Sequence, residues 1–377
     1  MASRGRHPLL SYQPFRFLFQ LSYVAIVVAR LPYYVAVALL PALRPNPTWS
    51  AKQTFMTRLV SPVLDATSRI GITETLTLEA GKEGARFQTV PPSTLDAYRG
   101  PAAHKTVKPA TIGGTWFPEA PAGDGVGDKT VFLYFHGGAF VQGDGRDATC
   151  KSVAAKLLEK GGADVVFSVQ YRLSGHGNAN NPFPAALQDA ISSYLFLVNG
   201  LGIPARQIVV AGDSSGGNLA TALLRYLHEF EVAIGVSGRG QPKCAVLLSS
   251  WVAPFEYDMK DNPHCGTDFI PSSYPAWGAH RYAGHLPPAD AASNPYITPL
   301  GNPFPTPVPI AHAGTAELFC ERITRWADEM RGVEGNVVEL CYEEGAVHDT
   351  FLVGELLGFE RSAWEVAAKI GEFVGRF

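Results

Sequence analysis

A chain of 377 residues that is 46% apolar and 17% charged can bury a sizeable core, and it lacks the composition of a disordered protein. Its length allows one large α/β domain with insertions or two small domains. A net charge of −3 gives no global attraction to nucleic acid, and none is expected as a partner.

The N-terminal end differs from the rest. Residues 1–64 hold Arg4, Arg6, Arg16, Arg30, Arg44, Lys52 and Arg58 and no Asp or Glu. Such asymmetry marks a membrane-facing or polyanion-facing arm. Residues 17–29 are apolar apart from Gln20 and Ser22, Arg30 and Pro32 interrupt, and 33–43 is apolar again. A spanning helix needs about 20 apolar residues, so only the joined halves suffice, with Arg30 near the middle as a cost. Three arrangements fit: a tilted spanning helix kinked at Pro32, a re-entrant pair of half-helices, or a segment lying in the interface. The plain alternative is a helix packed on the rest of the protein. Residues 1–44 are therefore expected to form a basic, apolar membrane-associating segment. The location expected is a membrane, the endoplasmic reticulum being one candidate. It is the cytoplasm if the segment only packs on the domain.

Residues 45–128 are mixed, with "TETLTLEA" (73–80) and "ATIGGTWFP" (110–118) as possible strands and 120–129 as a turn-rich connector. A regular alternation then begins. Buried-strand patterns at 130–138, 163–173, 207–212, 243–251, 308–314 and 336–342 alternate with helical stretches at 147–160, 184–198, 215–230, up to about 331, and 360–375. This predicts a mostly parallel, doubly wound sheet. The alternation breaks between Trp251 and Pro307. That Pro- and aromatic-rich stretch is expected to fold as a lid over the sheet's carboxyl edge. The domain at 45–377 thus takes its cap from about 45–110 and 252–305.

Within 209–220, "VVAGDSSGGNLA", the pattern G-x-S-x-G fits Gly212 to Gly216 with Ser214 central. Such a serine sits on a sharp turn between strand and helix, its hydroxyl held above the sheet edge. The glycines are needed where a Cβ would collide with the neighbouring strand and helix. The helix N-terminus behind it favours a developing negative charge. A serine hydroxyl needs a base, an acid and an oxyanion pocket. "HGGAF" (136–140) ends the first strong strand, and the N–H groups of Gly137, Gly138 and Ser215 are the expected donors. His136 is expected to brace the glycine loop, and Ser215 to need only a small side chain. His348, in "EEGAVHDTF" (343–351), is the histidine between the last strand and the last helix and hence the expected base. Glu317 and Glu321 follow the preceding strand. Glu317, nearer the strand end, is the expected acid, and Glu321 is expected to be further back or solvated. The order serine, acid, histidine suits this architecture.

Taken together, "HGGAF", "GDSSGGNLA", "YRL" with "FPAALQDA", and "AVHDTF" resemble the hormone-sensitive-lipase-like branch of the α/β-hydrolases over roughly 130–377. The resemblance implies the α/β-hydrolase fold and hydrolysis of carboxylic esters without metal or organic cofactor. It implies Ser214 as nucleophile, His348 as base, and Gly137, Gly138 and Ser215 as oxyanion donors. Two departures stand out. Glu317 occupies a position where the family usually has Asp, and "SGHGNANN" (174–181) replaces its Ala-Pro-Glu. Members that lost the histidine act as hormone receptors, whereas His348 is retained here. The N-terminus resembles that of membrane-bound fungal-type hydrolases of the branch.

The function expected is hydrolysis of a small lipophilic ester through an acyl-enzyme. The alternatives are acyl transfer or amide cleavage on the same triad, or a ligand receptor without catalysis. The five cysteines, without a C-x-x-C pair or zinc-type spacing, predict reduced thiols, with one disulfide left open.

Overall fold

Side chains on a strand alternate between its two faces, so a continuous apolar run needs cover on both sides. The computed structural model, which describes residues 7–121, 127–177, 180–231, 241–306 and 309–377, provides that cover. Eight strands form one sheet: β1 (Phe87–Val90), β2 (Ile112–Phe117), β3 (Val131–Phe135), β4 (Val165–Gln170), β5 (Ile208–Asp213), β6 (Cys244–Leu248), β7 (Pro309–Gly314) and β8 (Glu339–Glu343). Their order is β1-β2-β4-β3-β5-β6-β7-β8. β2 runs antiparallel to β1 and β4, and the pairs from β4 through β8 are parallel.

On β3, Phe132 and Tyr134 face a layer built from α3 (Asp147–Glu159) and α10 (Glu360–Val374). Val131, Leu133 and Phe135 face the opposite layer, with α4 (Ala185–Leu195), α5 (Ser215–Phe230) and α8 (Cys320–Arg331). The stretch expected as a lid carries α6 (Ser273–Ala283) and α7 (Pro288–Ser293). A short α9 (Thr350–Leu357), absent from the predicted elements, follows the last strand. All five cysteines are free, Cys150 and Cys244 buried and Cys265 exposed.

Residues 73–80 form no strand. The carbonyls that a ladder would use are taken by side chains: Arg146 donates to Thr77, Glu79 and Ala80, and Gln170 Nε2 donates to Thr77. The edge strand is β1 instead. Parts of two predicted loops, residues 122–126 and 178–179, lie outside the described residues, as do 307, where the stretch expected as a lid ends, and 308, where the fifth predicted strand starts.

The N-terminal region forms α1 (Phe15–Leu39) and α2 (Ala51–Ile70). α1 runs unbroken through Pro32, so the re-entrant pair of half-helices is not what forms. α2 starts on a capping box in which Ser50 Oγ accepts the Gln53 N–H and Gln53 Oε1 accepts the Ser50 N–H, and it ends at Gly71 with φ 67°. The helices pair as an antiparallel hairpin, with the Tyr23 hydroxyl bonded to Asp65 and Ser11 Oγ donating to the Ile70 carbonyl. α2 in turn packs on α6 and α9.

Candidate active site

The turn from β5 into α5 places Ser214 at φ 49°, a conformation costing a non-glycine residue about 1–3 kcal/mol. Its surroundings over-determine it. The Ser214 N–H donates to Leu248, and its carbonyl accepts from Asn218 and Trp251. A Cβ at Gly216 would lie 1.9 Å from the Phe135 carbonyl oxygen, and one at Gly212 would lie 2.4 Å from that of Gly216. The small residues flanking the serine let β3, β5 and α5 approach this closely.

His348, on the loop between β8 and α9, brings Nε2 to 3.0 Å from Ser214 Oγ. Glu317 is wholly buried three residues after β7. Its Oε2 accepts from Ser249 Oγ (2.6 Å) and from the Gly314 N–H (3.1 Å). Its Oε1 faces His348 Nδ1 at 3.9 Å, an ion-pair contact rather than a closed hydrogen bond. Both atoms are buried and have no hydrogen-bond partner among the described residues, which leaves them to each other. Glu321 is exposed on the first turn of α8, away from this cluster. Burial disfavours the imidazolium of His348, but the adjoining Glu317 carboxylate, with Asp268 and Asp213, outweighs it and raises the pKa above the ordinary histidine value.

The oxyanion side departs from expectation at Gly137. Its N–H donates to Asp213 Oδ1 (2.9 Å) and is not free to meet a substrate. The backbone then turns through positive φ at Gly138, Ala139 and Phe140. Gly138 and Ala139 line the cavity beside Ser214, and no partner among the described residues takes their N–H groups. A glycine is required at 138, where a Cβ would meet the Gln142 carbonyl oxygen at 2.3 Å. Ser215 is more than small, because its Oγ accepts the Phe140 N–H and so braces this turn. His136 is fully buried, pairs its Nδ1 with the Gly137 carbonyl at 2.7 Å and stacks on Tyr171. Burial lowers its pKa.

Sequence reasoning missed two acids. Asp268, from the stretch before α6, is buried and accepts the N–H groups of His348 (3.3 Å) and Leu318 (2.8 Å). Burial pushes its pKa up to about 6. Asp349 follows His348 at φ 50°, and its N–H donates to Ser249 Oγ. Its Oδ1 is buried without a hydrogen-bond partner among the described residues, as is Asp213 Oδ2. Burial and the Asp213 charge hold Asp349 well above the ordinary carboxyl range. Asp213 also takes the Tyr134 hydroxyl. One hydrogen-bonded web thus joins the glycine loop, the serine turn and the histidine loop.

Above Ser214 and His348 lies an apolar cavity of about 130 Å³ walled by Leu64, Trp251, Phe269, Tyr274, Phe319 and Leu352. A wider cleft of about 750 Å³ adjoins it across Gly138, Tyr274 and Leu352. Among the described residues no group of three His, Cys, Asp or Glu side chains could hold a metal ion. The chemistry open to this arrangement is attack by an activated hydroxyl on an electrophilic carbonyl.

The profile of a family described by its alpha/beta hydrolase fold matches residues 132–352, a stretch that holds Ser214, Glu317 and His348. Over 124 residues the chain is 32% identical to the "Acetyl-hydrolase" of Streptomyces hygroscopicus, covering 33% of this chain and 36% of that protein. Over 114 residues it is 38% identical to "Esterase LipI" of Mycobacterium tuberculosis, covering 29% of this chain and 32% of that one. These matches span about a third of each curated relative's length. A solved "Hormone-Sensitive Lipase from a Metagenome Library" shares the fold, with a TM-score of 0.56 over 84% of this chain and 98% of that one at 24% identity.

Proposed function

This chain belongs to the alpha/beta hydrolase fold family, and on that premise we propose that it is a serine hydrolase acting on carboxylic esters of lipophilic compounds. The observation that carries the reading is the 3.0 Å approach of His348 Nε2 to Ser214 Oγ on a strained turn. Ser214 attacks the ester carbonyl and its proton passes to His348 Nε2. The Glu317 carboxylate steadies the imidazolium, closing its gap to Nδ1 as charge develops. The oxyanion is held by the N–H groups of Gly138, Ala139 and Ser215, each worth about 3 kcal/mol in the transition state. His348 returns the proton to the leaving alcohol, and water, deprotonated by His348, releases the acid from the acyl-enzyme.

The 130 Å³ apolar cavity suits an acyl group of a few carbons, and the wider cleft suits the alcohol. An acetyl-hydrolase and an esterase among the relatives support that preference. Purified protein hydrolyses a short-chain aryl ester and takes a fluorophosphonate label at Ser214, and Ser214→Ala loses both. Wild-type-like turnover in Ser214→Ala overturns the reading.

α1 is long and apolar enough to cross a membrane and is mostly exposed. It supports residues 1–44 as the segment that brings the protein to a membrane surface. Recovery of the full chain in the soluble fraction of lysed cells overturns that part.

A further inference from the structure

We propose that α1 lies flat in one leaflet of an anionic membrane, its outer face in the acyl region, and does not cross the bilayer. The inference rests on the reading of α1 as membrane-associating and decides how it sits. A helix that crosses a bilayer alone meets lipid on every side, whereas α1 gives one side to the protein. Phe19, Tyr23, Val27, Leu31 and Tyr34 recur every three or four residues and turn toward the protein, half-buried or buried. Phe17, Leu21, Val24, Val28, Val35 and Leu39, three, four or seven residues apart, share an outward side, each at least 42% exposed. With the neighbouring exposed apolar residues they make a patch on the order of 1,000 Å², beyond the few hundred usual on a soluble monomer.

The inner face cannot be surrendered to lipid. Tyr23 is hydrogen-bonded to Asp65, which also takes Arg69 Nε and Ser273 Oγ. Inserting α1 across the bilayer would strip it from α2 or carry Lys52, Arg58, Asp65 and Arg69 in with it. Arg30 lies three residues from the middle of α1, at the most costly depth for a spanning helix. In a flat helix the same arginine sits at headgroup level.

The charges identify the kind of surface. Arg16, Arg30 and Arg58 make no ion pair or hydrogen bond with the described residues through their guanidiniums, although Arg58 lies 5.7 Å over the Tyr33 ring. Other basic groups nearby are engaged: Arg44 with the Ala38 and Trp49 carbonyls, Lys52 with Glu355, Arg69 with Asp65. Arg30 and Arg58 share a cleft of about 320 Å³ between α1, α2 and residues 265–271. An anionic lipid headgroup fits beside an apolar face bordered by unpaired guanidiniums.

The test uses the full chain on vesicles of phosphatidylcholine with and without phosphatidylserine, and in microsomes with a tag at each end. Flotation is expected to strengthen with phosphatidylserine. Arg30→Gln with Arg58→Gln is expected to remove that preference, weakening binding on the order of 10- to 30-fold. Leu21→Glu with Val28→Glu is expected to abolish flotation without changing hydrolysis of a soluble ester. Both tags are expected to be digested by protease outside sealed microsomes. A protected N-terminal tag beside a digested C-terminal one overturns the flat arrangement while leaving membrane association standing. No flotation on either vesicle overturns both. A lipid-free dimer that Leu21→Glu and Val28→Glu dissolve assigns the face to a second copy and overturns the proposal.

Discussion

At the carboxyl edge of the sheet the polar groups are turned inward, and on α1 the apolar groups are turned outward. Ser214, Glu317, His348, Asp213 and Asp349 are tied to one another and to the backbone among buried neighbours. Along α1 the side chains from Phe17 to Leu39 on the outer face touch little of the protein. A group inside a closed web cannot change without loss to the groups that depend on it. A group on an unpartnered face can change at small cost to the fold, and what alters is the surface it meets. Under the proposed function the first region governs chemistry and the second governs place.

That separation can be broken from either side. The largest effect is expected at Gly216→Ala, because the new Cβ meets the Phe135 backbone at 1.9 Å and nothing flexible can yield. We expect a loss of about 3 kcal/mol or more, read by thermal denaturation, and an unchanged melting temperature would refute the packing account. Glu317→Gln comes next, lowering kcat by about 10²–10⁴ while Glu321→Gln stays within about twofold. Equal effects would mean that the wrong acid has been named. The same variant carries a pH signature. The raised pKa of His348 puts the acid limb of kcat/KM above about 6.5, since the base must be neutral. Without the Glu317 carboxylate its raising influence is lost and the limb moves to lower pH. A small catalytic effect is expected from deleting residues 1–44, which leaves turnover of a soluble ester within about threefold while removing membrane association. A large loss of turnover would show that chemistry and place are not separable here.

Much of the carboxyl edge was legible beforehand because it depends on pattern. Apolar runs ended by glycine marked β3 and β5, and chain order narrowed the base to His348. The misses have physical reasons. The alternation at 73–80 imitates a strand, yet Arg146 and Gln170 take its carbonyls. β1, "FQTV", is short and only half-buried, so its apolar pattern is weak. α2 carries a readable start in Ser50 and Gln53, obscured by the polar residues and Pro62 that follow. Gly137 was the natural first donor in "HGG", but which N–H faces the cavity depends on backbone torsions at Ala139 and Phe140, non-glycine residues that carry no sign of a positive φ. Asp268 stands in a Pro- and aromatic-rich stretch, and only the folded chain brings it 80 positions along to His348.

One contact bears on where the chain can be trimmed. Trp49 Nε1 donates to the Gly345 carbonyl at 2.6 Å, three positions before His348, and its ring stands edge-on to Phe359. A few turns later Leu64 closes the cavity over Ser214. The family profile begins only at residue 132, yet scaffolding for the imidazole starts more than 80 residues upstream. A shortened chain that keeps Trp49 retains that prop and that wall, and one cut to the profile's limits would discard both.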